Sequence, residues 1–326
     1  MDQTPTSRLL PGFTDAGQVS LSFIDDRGET VHAHGGQILH HDDAWWWIGE
    51  DRRGRVKVSC YRSEDLRTWD FRGHLLTLDS PTAPHPHRSS SDLRLDIPGR
   101  RAMIGQGCNI ERPKLLYHAA RRQWVMWMHW ELPDNYHEAR AAVAVCDRID
   151  GDYTYLGSFR PLGHMSRDCT VFHDTDGSAW FISAARDNRD LHIYRLSPDY
   201  LDIERLERVL WPGGLREAPT VFRRGDRLYM LTSGCTGWRP NQSSWATARS
   251  MDGGWSERRD FGDQTTFASQ PTWVLPLPDD RFLYIGDRWG GVGRGYPASE
   301  TVFLPISFSE AGEPGITADL SPWILS

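Results

Sequence analysis

The chain has 326 residues with 44 acids, 37 bases and a formal net charge of −7, and 39% of it is apolar. No segment carries the basic surplus of a nucleic-acid groove or an anionic-membrane face, and no apolar run approaches the roughly 18 residues of a membrane span, so neither partner is expected. Five scattered cysteines (Cys60, Cys108, Cys146, Cys169, Cys235) form no CxxC pair, which argues against a disulfide framework or a cysteine zinc site and reads as reduced thiols.

The first residues, MDQTPTSRLLPGF, have neither a basic n-region nor an apolar h-region, so the expected compartment is the cytoplasm. From there on helical periodicity is scarce. Short alternating runs bounded by Gly, Asp, Asn or Pro predict strands throughout. They recur as a unit: a polar entrance, an aromatic strand, and then two further strands, the last more polar. The first unit reads HAHGGQILHH (32–41), AWWWIGED (44–51) and VSCYRSEDLRTWDFRGHLL (58–76). A Pro-, Ser- and His-rich stretch near 77–106 follows and reads as an insertion on this unit. The second unit is NIERPKLLY (109–117), RQWVMWMHW (122–130) and AAVAVCDRIDGDYTYLGSF (141–159); the third is SRDCTVFHDTDG (166–177), SAWFISAA (178–185) and LHIYRLSPDYLDI (191–203). DTDG (174–177) lacks the later ligands of a calcium loop and reads as a hairpin turn. REAPTVFRRGD (216–226), DRLYMLTSG (226–234) and SSWATARSMDGGWSE (243–257) make the fourth, and SQPTWVLPLPD (269–279), DRFLYIGDRW (280–289) and ETVFLPISF (300–308) the fifth.

Five repeats of about 50–60 residues, anchored on Trp45, Trp124, Trp180, Tyr229 and Phe282, predict an all-β, five-bladed β-propeller spanning 1–326 as a single domain. A β-sandwich would not repeat one pattern five times, and six or seven blades would need shorter units. The 15 Trp, 10 Tyr and 12 Phe then divide into blade-packing rings and a few that face a ligand. In a propeller the innermost strands converge on the axis, so the entrances supply the candidate site. Three of them place an acid, Glu111, Asp168 or Glu217, just before an apolar strand, where an unpartnered carboxylate is costly. The plain alternative is structural ion pairing: Glu217 with Arg216, Asp168 with Arg167, Glu111 with Arg112 or Lys114. His32 and His34 alternate onto one face without a third ligand at defined spacing, so hydrogen bonding is expected of them rather than metal binding.

With its fivefold pattern and the segments SRDCTVF (166–172) and REAPTVF (216–222), the chain resembles glycoside hydrolase family 43. The segments AHGGQILHH (33–41), WIGED (47–51), ERPKLLY (111–117), TSGCTGWRPN (232–241) and IGDRW (285–289) resemble its exo-β-1,3-galactanase branch. The residues lead us to expect no cofactor and no metal at the site; the resemblance implies an inverting glycosidase acting on an oligosaccharide or polysaccharide. It implies Glu217 as general acid and Asp168 as the carboxylate that raises the acid's pKa. The general-base Asp that most of the family carries in the first blade is missing between Val31 and Leu39; in the branch a fifth-blade glutamine, here Gln270, takes that place, and Glu111 is a further acid that contacts substrate. Either Gln270, as base or water-holder, or Glu111, as direct base, fits. The same gap argues against a retaining fructosidase, whose nucleophile is a first-blade aspartate. Glu50, Tyr136, Asn188, Thr236 and Trp238 are implied sugar contacts, Trp238 as stacking platform, and His34 borders the sugar. The expected activity is release of galactose from β-1,3-linked chains. Arabinofuranosidase, xylosidase or galactofuranosidase activity, or a non-catalytic sugar-binding propeller, are the alternatives.

Overall fold

A computed structural model describes residues 23–86, 88, 94–95, 105–290 and 295–316. The expected units are five antiparallel four-stranded sheets, each in simple sequential order. Blade one is β1 (His34–His41), β2 (Ala44–Asp51), β3 (Lys57–Ser63) and β4 (Asp70–Thr77); blade two is β5 (Asn109–His118), β6 (Gln123–Glu131), β7 (Arg140–Cys146) and β8 (Thr154–Phe159). Blade three is β9 (Cys169–His173), β10 (Ala179–Ala185), β11 (Asp190–Leu196) and β12 (Ile203–Leu210). Blade four is β13 (Arg216–Arg224), β14 (Arg227–Gly234), β15 (Ser243–Ala248) and β16 (Arg259–Phe261). Blade five is β17 (Gln270–Leu277), β18 (Arg281–Arg288), β19 (Glu300–Phe308) and β20 (Pro314–Ile316). The first strands β1, β5, β9, β13 and β17 pack on one another in that order, and β17 returns to β1, which closes a five-bladed propeller. Among the described residues no helix is long and apolar enough to cross a membrane.

Each aromatic anchor lies on the second strand of its blade, and its neighbours fill the seams between blades. Trp47, Trp69 and Trp127 are almost wholly buried there, so most of the tryptophan excess is core. Among the described residues no strand is exchanged between the first and last blades. Side chains close the ring instead: the Phe23 ring lies 5.4 Å from Trp47 and 5.0 Å from Phe303, while Asp287 accepts from His34 Nδ1 (2.9 Å) and Gly35 N (2.8 Å). Of the expected first-blade insertion, residues 87, 89–93 and 96–104 lie outside the described residues. The described part leaves blade one and runs along the edge of blade two, with Ala83 N on Tyr155 O (2.9 Å) and Arg88 Nη2 on Leu201 O of blade three (2.8 Å). The single-domain expectation over 1–326 is described only for this propeller, since residues 1–22 and 317–326 lie outside the described residues. DTDG is the β9–β10 turn, closed by Gly177 N on Asp174 O at 3.0 Å.

One device recurs at the axis. His34, Glu111, Glu217 and Gln270 stand at the same step of their innermost strands, opposite Glu50, His129, Ser233 and Asp287 respectively. In blade three the equivalent residue is Asp168, whose carbonyl accepts from Ala184 N at 2.9 Å. In blades one, two and four the register slips directly after this step, and in blade five one residue later, after Pro271, a bulge that turns the site residue toward the axis. The left-handed residue at the slip is Gly35 (φ 60°), Arg112 (φ 55°) or Ala218 (φ 53°) in blades one, two and four. Such backbone costs a non-glycine residue about 1–2 kcal/mol and recurs at functional sites. At Gly36 a Cβ would fall 1.6 Å from Ile48 O, so the first blade admits only glycine there.

Candidate active site

Where the innermost strands begin, a cavity of about 260 Å³ opens at the axis. It lies just below the usual range of ligand pockets, ~300–1,000 Å³, which suits a terminal sugar better than a long chain. Its lining includes Glu50, Glu111, Asp168, Glu217, Gln270 and Trp289, so all four expected catalytic side chains face it.

Glu217 stands at the start of β13. Its Oε1 accepts from Gln270 Nε2 (2.9 Å) and its Oε2 from Asn188 Nδ2 (3.1 Å). Burial, then the charge of Asp168, push its carboxyl up to about 8, against Arg112, the Cys235 thiol and Gln270. It therefore holds a proton at neutral pH. Asp168 is fixed by Ala218 N (3.1 Å) and by an ion pair with Arg112 Nη2 (3.1 Å). The simple ion pairs suggested by sequence neighbours do not form. Arg216 donates to Thr232 Oγ1 (2.9 Å), and Arg167 to Tyr136 O (2.9 Å) and Asp187 (2.7 Å). Successive residues of a strand point to opposite faces, so the nearest charge in sequence is not the nearest in space.

Gln270 is saturated. Its Oε1 accepts from Arg112 Nη2 (2.6 Å) and Trp289 Nε1 (2.8 Å), and its Nε2 donates to Glu217 and to Ser233 Oγ (3.0 Å). Arginine and tryptophan nitrogens only donate, so the amide orientation is unambiguous and both carbonyl lone pairs are filled. An imidic O–H at this oxygen would face two donors and no acceptor.

Glu111 is equally engaged, by partners other than Arg112 and Lys114. Its Oε1 accepts from Arg52 Nη2 and from the Tyr136 hydroxyl (2.6 Å), its Oε2 from His129 Nδ1 (2.9 Å). Burial resists its ionisation, but Arg52, His129 and Tyr136 outweigh burial and hold the carboxyl well below the usual range. Lys114 instead donates to Gly35 O (2.5 Å), further along the axis. Behind Glu111, His129 lies between two carboxylates, with Glu131 Oε2 3.6 Å from its Nε2. Burial disfavours the imidazolium, yet Glu111 and Glu131 raise its pKa to about 9. Glu131 also accepts from Leu132 N (2.8 Å), Glu138 N (2.9 Å) and Ala139 N (2.7 Å), folding the loop that presents Tyr136.

Of the remaining expected contacts, Glu50, Tyr136, Asn188 and Trp238 line the cavity. Trp238 meets Trp289 edge-on, with ring centroids 5.5 Å apart and planes at 76°. Thr236 and His34 are outside the lining. The Thr236 hydroxyl accepts from Asn241 Nδ2 (2.7 Å) and donates to Arg239 O (2.5 Å), so it shapes the loop carrying Trp238 instead of reaching a sugar. His34 is almost wholly buried between Asp287 and His32 Nδ1 (3.1 Å), a ring-closing role that corrects the expectation of a sugar border. Sequence reasoning missed Arg52, Arg112, His129 and Trp289. His129 was detectable as a polar residue within an otherwise apolar strand, which burial tolerates only with partners.

Ligand atoms of Glu111, His129 and Asp168 lie within 4.8 Å of one another, a spacing that could hold a metal ion. The donor set does not suit one. His129 is an imidazolium, and Arg52 and Arg112 already neutralise the two carboxylates.

The model of Glycosyl hydrolases family 43 matches residues 113–270. The fold superposes on an exo-β-1,3-galactanase from Clostridium thermocellum with a TM-score of 0.80 and 42% identity, covering 91% of this chain and 64% of that one. It also superposes on a family 43 β-1,3-galactosidase crystallised with galactodeoxynojirimycin, with a TM-score of 0.79 and 32% identity over 90% of this chain and 96% of that one. A β-xylosidase from Bacillus subtilis (strain 168) is 26% identical over 187 residues, 54% of this chain and 31% of the relative. The chain thus spans under two thirds of the length of the Clostridium and Bacillus proteins. With the propeller, the carboxylates at its axis and full-length similarity to a family 43 enzyme, this chain belongs to glycoside hydrolase family 43.

Proposed function

We propose that the chain is an inverting, exo-acting glycoside hydrolase that releases galactose from the non-reducing end of β-1,3-linked galactan or galacto-oligosaccharides. The observation that carries this reading is Glu217: a carboxyl kept protonated by burial and by Asp168, facing a one-sugar pocket in which a further acid, Glu111, stays ionised. Glu217 protonates the glycosidic oxygen as the bond to the anomeric carbon breaks. Asp168 raises its proton affinity, and Gln270 and Asn188 hold its two oxygens in place. Ionised Glu111, with Arg52 and Tyr136, hydrogen-bonds sugar hydroxyls. Trp238 receives the apolar face of galactose, with Trp289 as the wall at right angles. Similarity to galactanases and galactosidases supports the sugar and the linkage.

Incubation with β-1,3-galactobiose and a panel of nitrophenyl β-galactoside, β-xyloside, α-arabinofuranoside and β-galactofuranoside tests the reading. Galactose release from the disaccharide is expected to dominate. Preference for a xyloside or furanoside would replace the substrate assignment, and sugar binding without any release would sink the enzyme reading.

A further inference from the structure

From the strand registers and the polar groups at the axis we infer a second binding site beneath the sugar cavity, for a small monovalent anion of the halide class, held by Lys114. It stands apart from the hydrolase reading. The site residues His34, Glu111, Asp168, Glu217 and Gln270 mark one step of the five second strands. Two residues back along each second strand the register partner is Gln37, Lys114, Thr170, Thr220 or Trp273. Side chains two steps apart share a sheet face, so this second tier turns toward the axis as the site residues do. All five members carry a hydrogen-bonding side chain, although the residue after each is apolar: Ile38, Leu115, Val171, Val221 and Val274.

The tier offers donors and a positive charge, and no carboxylate. Lys114 is 1% exposed, and its ammonium meets only carbonyls, Gly35 O (2.5 Å) and Arg112 O (3.5 Å). The acids whose charge reaches it are spent elsewhere: Asp168 on Ala218 N and Arg112, Asp287 on His34, Gly35 N and Thr272. The fully buried hydroxyls of Thr170 and Thr220 and the Trp273 Nε1 have no partner within the described residues. Gln37 has both ends of its amide closed on the Leu115 backbone. Buried polar groups are normally paired, and buried charges more strictly so. A water molecule satisfies hydroxyls but leaves the charge uncompensated. A halide does both, accepting from ammonium, hydroxyl and indole donors alike. Burial, then the charge of Arg112, lowers the Lys114 pKa to about 7, and an anion in contact with it restores the charged form.

An entry path is present. A cavity of about 390 Å³ lies at the far end of the axis, and Gln37 and Trp273 of the tier line it together with Leu115, Val171 and Val221. Desolvation grows steeply with charge, so a tier this deeply buried selects a monovalent ion over sulfate or phosphate. The Arg112 carbonyl that shares Lys114 belongs to the residue that holds Asp168 and Gln270, so the filled tier braces the sugar site from below.

Crystals of wild type, Lys114→Met and Thr220→Val grown in gluconate salts and soaked in dilute sodium bromide test the site by bromine anomalous scattering. Thermal unfolding in sodium bromide against sodium gluconate at equal ionic strength tests it in solution. An anomalous peak in contact with Lys114 Nζ is expected in wild type, weaker in Thr220→Val and absent from Lys114→Met. The Tm of wild type in bromide relative to gluconate is expected to exceed the same difference for Lys114→Met by about 2–4 °C, general salt effects being common to both. Should Lys114→Met not fold, the wild-type peak and its weakening in Thr220→Val decide. Peaks confined to the protein surface, a tier peak that needs molar bromide and so marks an adventitious ion only, or a salt response identical in wild type and variants would overturn the assignment. No glycoside enters these measurements, so their failure leaves the hydrolase reading untouched.

Discussion

Replacing His129 by glutamine removes a buried cation whose worth depends on pH in a calculable way. The imidazole pKa rises from 6.5 to about 9 in the folded protein, and the residue is fully buried. The gap of about 2.5 units is of order 3 kcal/mol at about 1.4 kcal/mol per unit. A folded pKa above the unfolded one means that the native state binds the extra proton. This stability is fully present below about pH 6.5 and is lost as pH rises through about 9. Urea unfolding of wild type and His129→Gln at intervals from pH 6 to pH 10 checks it. The stability difference between the two proteins is expected to shrink by about 3 kcal/mol across that range, since groups common to both cancel. A difference that stays constant with pH would show that His129 is neutral in the fold, and the Glu131–His129–Glu111 arrangement would then lack its central charge.

Three other outcomes follow from the site. Asp168→Asn removes the charge that raises Glu217, so the alkaline limb of the pH–kcat profile should fall from near 8 by about two pH units, a like charge at ~5 Å being worth roughly 3 kcal/mol at an effective dielectric of ~20. The limb stays above the ordinary carboxylate range because burial, the larger cause, remains. Trp289→Phe keeps the ring but frees one lone pair of Gln270, and its kcat should drop by no more than about tenfold, the net worth of one hydrogen bond of ~0.5–1.5 kcal/mol. Trp238→Ala should raise the inhibition constant for galactose by about three- to tenfold through lost stacking, with thermal stability nearly unchanged for a half-buried loop residue.

The fold was legible because one pattern recurs five times, and the axial acids because each occupies the same step of its unit. Glu111, Asp168 and Glu217 were found on that ground and Gln270 through the family resemblance, and all four meet at the cavity. Their partners were not legible. Arg112 reaches blades three and five from a left-handed bulge, and no periodicity announces a one-residue slip. Arg52 and Trp289 follow second strands, and His129 lies on one, where the pattern reads only as aromatic core. His34 shares the axial step, yet an acid on the neighbouring blade, Asp287, takes it for ring closure. Ring closure joins residues about 250 positions apart, a pairing no local spacing encodes. Thr236 looked like a contact because it adjoins Trp238, but its hydroxyl is spent within its own loop.

Inversion at an exo-acting site is the central claim, and anomer-resolved proton NMR during the first minutes of wild-type hydrolysis of β-1,3-galactobiose tests it most directly. The account predicts that α-galactose appears first on the non-reducing side and that mutarotation to the β form follows. Initial release of β-galactose would contradict it, since retention requires a covalent glycosyl-enzyme intermediate in place of direct attack by water.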